Sequence, residues 1–282
     1  MNRIWFNRIF YLCCLAAIAA SIFFLFFLIA VILWNGLQAV SLDFIFTPSS
    51  NFGSQGGVLY QILGSLLLII TTALIVCPIA LGTALYQSEY IKKPALKKLC
   101  SILTYGLNGV PSIIFGLFGL IVFVNFLGMG ISWFAGSIIL AFMILPTVIL
   151  ATFQSMNSIP QIYRESAESL GLSKWQVNMK VVVPQGIHGM ISGLFLGLAR
   201  AIGETAPIMF IATAFSGATL PGSIFGPVSS LPTHILALSQ QATNPQALTN
   251  AWGASLMLVV LVSIFSISAL MTRIKYTSVT AR

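Results

Sequence analysis

Long apolar stretches dominate the chain, and charge interrupts them at few places. Uncharged runs extend from Tyr11 to Val40, Leu59 to Ser88, Cys100 to Tyr163 and Thr205 to Thr272. A helix that crosses a bilayer needs roughly 20 predominantly apolar residues, so the first two runs each predict one span and the last two are too long for one. Gly128-Met129-Gly130 splits the third run. The fourth contains Pro221-Gly222, Gly226-Pro227, Pro232 and Asn244-Pro245 between Ser216 and Asn250, which predicts an extramembrane segment there. Six spans follow, at about 11–34, 59–87, 104–127, 131–153, 188–215 and 251–272.

Composition agrees with this pattern and removes the main competitor. Hydrophobic residues make up 58% of the 282 and charged residues 6%, against about a quarter charged in a soluble domain, so a water-soluble fold is excluded. The expected class is all-α and integral to the membrane. The net charge of +8 would suggest nucleic acid in a soluble protein, but the positions of the 13 Lys and Arg residues give it another meaning. Arg3 and Arg8 precede span one; Lys92, Lys93, Lys97 and Lys98 lie between spans two and three; Arg164, Lys174 and Lys180 lie between four and five; Arg273, Lys275 and Arg282 follow six. With both termini cytoplasmic all twelve fall on the inner side, as the positive-inside rule requires. No nucleic-acid partner is expected.

The first apolar run continues well past Ala20 to Trp34, beyond the roughly 7–15 residues of a secretory h-region, and reads as an uncleaved anchor. Residues 1–58 are accordingly taken as an anchor helix with an external loop, and 59–282 as the main transmembrane domain. Trp34 and Trp252 lie near span ends, where interfacial aromatics are usual. Cys13, Cys14, Cys77 and Cys100, like His188 and His234, show no metal-ligand spacing, so neither a metal nor a disulfide is expected. Leu231 to Gln241 is a candidate short external helix.

The cytoplasmic stretch 154–187 carries the clearest local design. Asn157 or Ser158 can cap a helix with Pro160 in its first turn; Tyr163, Ala167 and Leu170 recur at helical spacing, and Gly171 ends it. Ser173 with Gln176 three residues on is a capping box for a second helix, which holds Val177 and Val181 before Pro184. Two short helices meeting at a glycine form a knob suited to a groove in another protein; a plain amphipathic linker is the alternative.

Inside the membrane, the thirteenth cation is Arg200, about halfway along span five, with Glu204 on the same helix face. An Arg at the centre of a span costs about 2.5–3.5 kcal/mol on insertion scales, so it needs a use. Either it locks two helices together with Glu204, or it lines a hydrated pore, meets an anion with its forked donors and is moderated by Glu204. Gly193, Gly197 and Gly203 favour close helix approach there, and Thr205 adds a hydroxyl. In span three, Pro111 removes a helix donor and predicts a kink, leaving Asn108 and the Ser112 hydroxyl either bonded within the protein or available to a polar pathway.

Three stretches carry a family resemblance. Glu165-Ser166-Ala167, Gly171 and Val181-x-Val183-Pro184 resemble the EAA loop of binding-protein-dependent ABC permeases. Gly197-Leu198-Ala199-Arg200-Ala201-Ile202-Gly203-Glu204-Thr205-Ala206-Pro207 and the Gly109-Val110-Pro111-Ser112 run resemble phosphate-specific transport (Pst) permeases, more the PstA type than the PstC type. The resemblance implies a type I ABC importer (MetI-like) permease in the cell inner membrane. It assigns Glu165, Ala167, Gly171 and Pro184 to coupling with an ATPase, and Arg200, Glu204, Thr205, Ser112 and Asn108 to the translocation path of inorganic phosphate. It further implies a PstC-like second permease, a PstB-like ATPase dimer and a PstS-like binding protein. No Gly-rich nucleotide loop is present, so ATP and magnesium are expected to act on the ATPase, with no cofactor or catalytic residue in this chain. A permease for molybdate or sulfate, a homodimer, and a standalone channel or secondary transporter remain alternatives at this point.

Overall fold

The computed structural model describes residues 2–213, 221–241 and 243–280. The predicted end of span five at 215, the start of the expected segment at Ser216, and Arg282 lie outside the described residues, as do the side chains of Arg3 and Lys275. The helices are α1 (Asn2–Ala39), α2 (Leu42–Phe46), α3 (Leu59–Leu85), α4 (Pro94–Asn108), α5 (Ser112–Gly119), α6 (Trp133–Asn157), α7 (Gln161–Ser169), α8 (Lys174–Val177), α9 (Val183–Ile202), α10 (Ala206–Ile211), α11 (Leu231–Ser239) and α12 (Pro245–Thr280). A short hairpin, β1 (Ser49–Ser50) with β2 (Gln55–Gly56), lies between α2 and α3. Among the described residues, five helices are long and apolar enough to span a membrane, and α4 with the segment from Ser112 to Phe126, bent by 92°, brings the number to six when the pair is counted as one span.

The bend corrects the expected span 104–127. Its first half begins at Pro94, and the chain turns at Gly109-Val110-Pro111 before Ser112 opens α5. Pro111 has no N–H for a continuous ladder, so the apolar run cannot cross as one straight rod. Gly128 and Gly130, both at positive φ, then reverse the chain as expected. Ser132 caps α6 by accepting from the Ala135 N–H.

Span five also differs at both ends. It starts at Lys174, because α8, the wide turn Asn178–Val182 and α9 form one 29-residue helix. Pro184 was expected to end a separate helix, yet the preceding turn has shifted to longer-range bonding, the Val183 N–H reaching Asn178 O, and Pro184 enters where the ladder is already interrupted. The helix stops at Ile202 instead of running past 213. Gly203 to Thr205 break it, and α10 continues as a separate piece. Arg200 is therefore in the last turn of α9 and not midway along it.

The centre of the bundle is the contact between α6 and α9. A Cβ built at Gly193 would lie 2.5 Å from Ala151 Cβ, at Gly186 2.5 Å from Met156 Cγ, and at Gly189 would overlap Ser155 Cβ. Gly197 lies against Ile144 and Val148. Helices in lipid gain nothing from burying apolar surface against each other, so such close backbone approach supplies the dispersion contact that holds them. Gly203, expected to act likewise, meets only Arg200 O at 3.7 Å and serves as the α9 terminus. Around this seam Leu68, Ile139, Leu140, Ile144, Val148 and Ile211 are fully buried or nearly so.

Two elements depart from the expected surface. No residue of α1 from Trp5 to Leu28 is buried, and only its far end packs on α12, where Gly36 faces Leu256. By contrast α11, expected as a short external helix, packs into the protein with Leu231, Pro232, Thr233, His234 and Leu238 buried. Ser65 Oγ accepts from its Leu231 N–H at 2.9 Å, and His234 Nδ1 lies 3.4 Å from Gln61 Nε2, whose amide donates to Ser49 Oγ at 2.8 Å. Asn250 also ties down the hairpin through Gly53 O.

Gly193→Val should cost about 1–3 kcal/mol through overpacking and lower the melting temperature of the detergent-purified subunit, while Gly203→Ala should leave it within a degree or so. Burial pushes the His234 pKa down to about 4. The neutral ring is therefore native: stability should be complete above pH 6.5 and fall, by up to about 3 kcal/mol, as pH drops toward 4. His234→Gln should flatten that acid limb in a melting-temperature series.

Candidate functional site

Two groups of expected residues stand at different levels of the molecule. The first surrounds the breaks in the bent helices. Gly116 faces Pro207 Cα at 3.0 Å and Gly119 faces Ile211, so α5 and α10 run parallel, with α5 starting about one turn ahead of α10. The chain breaks ahead of these two starts, at Gly109–Pro111 and at Gly203–Thr205, therefore lie on the same side.

Arg200 Nε lies 3.6 Å from Glu204 Oε1, an ion pair beyond hydrogen-bond range, and the side chains are 44% and 16% exposed. The arrangement has a local cause. Arg200 sits at the C-terminal end of α9, where unpaired carbonyls carry partial negative charge, and Glu204 lies just before α10, whose first N–H groups carry partial positive charge. Each charge complements the helix end beside it. Thr205 occupies the position before α10 and makes no capping bond with its side chain.

The depth of this site follows from the seam. Gly197 meets Ile144, so Arg200, three residues further, stands near the middle of the 25-residue α6. Asn108, the last residue of α4, is exposed, and its Oδ1 accepts from Thr147 Oγ1 of α6 at 3.1 Å. Ser112 is half-buried at the first position of α5. Among the described residues, Arg200 and Glu204 are brought into contact; Asn108 instead meets Thr147, a residue the sequence did not single out.

The second group forms the knob between α6 and α9. Gly171, at φ +81°, closes α7: its N–H donates to Glu168 O and the Leu172 N–H to Ala167 O, the paired bonds of a glycine-terminated helix. Ala167 is buried while Glu165 is exposed. The Ser173–Gln176 capping box forms in both directions. Asn157 and Ser158, expected to cap α7, instead finish α6, and Pro160 occupies the position before α7. Pro184 stands in the first turn of α9, past the knob.

One residue of this group was missed. Arg164 donates from Nη2 to Glu89 Oε1 at 2.9 Å and from Nε to Oε2 at 3.3 Å, and also to Ile159 O at 2.7 Å and Met156 O at 2.9 Å. It thus caps the end of α6 and pins α7 to the turn after α3 through a largely buried pair, 14% and 15% exposed. The 75 positions between the partners left no local signal of pairing.

Residues 77–276 match the model of the binding-protein-dependent transport system inner membrane component family. The chain belongs to that family. Permeases of this kind work in ABC importers with a partner permease, an ATPase and a substrate-binding protein. This permease is 32% identical over 268 residues to the probable ABC transporter permease protein YqgI of Bacillus subtilis, covering 91% of this chain and 90% of that protein. It is 31% identical to the phosphate transport system permease protein PstA of Pasteurella multocida, covering 90% and 89%. Its fold matches a permease chain of a bacterial alginate ABC transporter with a TM-score of 0.66 at 17% identity, over 95% of this chain and 94% of that one. A chain of the inward-facing methionine transporter matches at 0.60 and 14%, over 77% and 94%. The fold is that of an ABC importer permease, and the protein is a multi-pass component of the inner membrane.

Arg164→Met should strand Glu89 and two helix-end carbonyls, costing about 2–4 kcal/mol; protease cleavage between α6 and α9 in membrane vesicles should accelerate. Arg164→Lys keeps one contact at a time and should fall between.

Proposed function

We propose that this permease forms half of the translocation pathway of an ATP-driven phosphate importer. The observation that carries the reading is Arg200: a guanidinium near mid-depth, 44% exposed on this chain, whose one partner among the described residues is Glu204. Such a cation facing hydrocarbon would cost several kcal/mol, so its open side belongs to a polar path that the second permease half completes. Its forked donors suit a tetrahedral oxyanion. Relatives named phosphate transport system permease protein PstA, in Pasteurella multocida and Mycobacterium leprae, support phosphate as that anion.

In this reading Glu204 competes for the guanidinium, so the anion is held only moderately and moves on. Thr205 and Ser112 contribute hydroxyls, and Asn108 an amide, along the same path. Both termini are cytoplasmic, and the knob docks a PstB-like ATPase dimer through Glu165 and the surface that Ala167 and Gly171 shape. ATP and magnesium act on those subunits. ATP binding draws the two knobs together and opens the path outward to a PstS-like binding protein; hydrolysis resets it. The second half is a PstC-like permease.

The test is ATP-driven uptake of radiolabelled phosphate into vesicles holding the assembled transporter, with excess sulfate and molybdate as competitors. Uptake that needs ATP and resists both supports phosphate; uptake of a competitor instead overturns the substrate. Arg200→Ala should lower uptake by about 10- to 100-fold, the value of a charge-assisted contact, and Arg200→Lys by less. Gly171→Pro removes a bonded N–H and cannot adopt φ +81°; it should leave ATPase activity that no longer responds to the loaded binding protein. Normal coupling in that variant would sink the docking assignment.

A further inference from the structure

We propose that Asn108 and Thr147 form a second, uncharged anion station on the cytoplasmic side of Arg200, in which Thr147 fixes the Asn108 amide with its N–H donors toward the pathway; this rests on the phosphate reading above. Thr104 of α4 and Thr152 of α6 bond within their own helices, donating to Cys100 O at 2.8 Å and to Val148 O at 2.6 Å. Thr147 instead reaches across to α4 and donates to Asn108 Oδ1 at 3.1 Å. An amide is planar with its acceptor and donors on opposite edges, so anchoring Oδ1 on α6 turns the Nδ2 group away from α6.

Position places that group on the path. Asn108 is exposed on this chain, and Thr147 lies two residues from the centre of α6. An amide open to hydrocarbon at that depth would lack partners, so its free edge faces a polar surface. Gly193 of α9 abuts Thr147 O and Val148 Cα, at 3.7 and 3.5 Å from a built Cβ. Arg200 is seven residues beyond Gly193, which is about 10 Å along the helix and within about 20° of the same direction. Thr147 therefore touches the α6–α9 seam through its carbonyl and carries Asn108 on its α4 side, so the charged group stands nearer α10 and the neutral pair nearer α7. An anion moving toward the α7 end meets Arg200 first and then two neutral donors. A neutral second station takes the ion over without binding it as tightly as a cation, which is what onward release requires.

The experiment compares phosphate uptake from loaded binding protein into vesicles carrying the assembled wild-type, N108D, T147V or T147S transporter. N108D is nearly isosteric and sets a carboxylate where the donors were; it should lower Vmax by about tenfold or more. T147V should lower Vmax roughly three- to fivefold, with the KM for loaded binding protein unchanged because the outer approach is untouched, and T147S should restore it. Wild-type Vmax in both N108D and T147V overturns the station. So does loss of assembly in both, which would make the pair a structural tie, or a T147S defect equal to that of T147V. A wild-type transporter that hydrolyses ATP and imports no phosphate would remove the phosphate reading itself, a result distinct from failure of the variants alone.

Discussion

The structure depends on how closely α6 and α9 approach. In a lipid medium apolar side chains have no reason to prefer one another over acyl chains, and association needs surfaces that fit at backbone distance. Gly186, Gly189, Gly193 and Gly197 provide that surface, opposite Met156, Ser155, Ala151 and Ile144. Once the seam is closed, the end of α9 is fixed at a definite depth, and the break at Gly203–Thr205 falls partway along α6 with Gly203 exposed on this chain.

A broken helix inside a membrane exposes backbone groups that water cannot reach, and irregular backbone survives there only against protein or a polar cavity. The permease meets this demand by placing its two breaks on the same side, about one turn apart, with α5 and α10 parallel behind them, and by setting an Arg and a Glu at the facing ends of α9 and α10. The structural pairing of Arg200 with Glu204 is compatible with the pathway role proposed for it. Charges that complement helix ends are also charges held in place, and a guanidinium held in place with an open side can receive an anion.

Features encoded within a few residues were legible in the sequence. The apolar runs gave the spans, Gly128 and Gly130 the reversal, Gly171 the end of α7, and Ser173 with Gln176 the capping box. What was not legible required either a third partner or a backbone state. Pro184 looks like a stop until the widened turn at Asn178–Val182 is seen before it. The run from Thr205 onward is apolar enough to hide a break, because Gly203 and Thr205 are not strong breakers in lipid. Arg164 and Glu89, Thr147 and Asn108, and His234 and Gln61 are pairs separated by 39 to 173 positions, and nothing local marks them.

The fusion of α8, the widened turn and α9 into one 29-residue rod has a mechanical meaning. Its length is about 43 Å at the rise of an α-helix, with the capping box of the knob at one end and Arg200 in the last turn at the other. Such a rod is a lever: pivoted near its middle on the glycine contacts, a tilt of about 5° moves each tip by close to 2 Å. A shift of that size is enough to change which oxygens a guanidinium can reach. Force applied at the surface would reach Arg200 along one continuous helix, with the widened turn at Asn178–Val182 the place where it can flex.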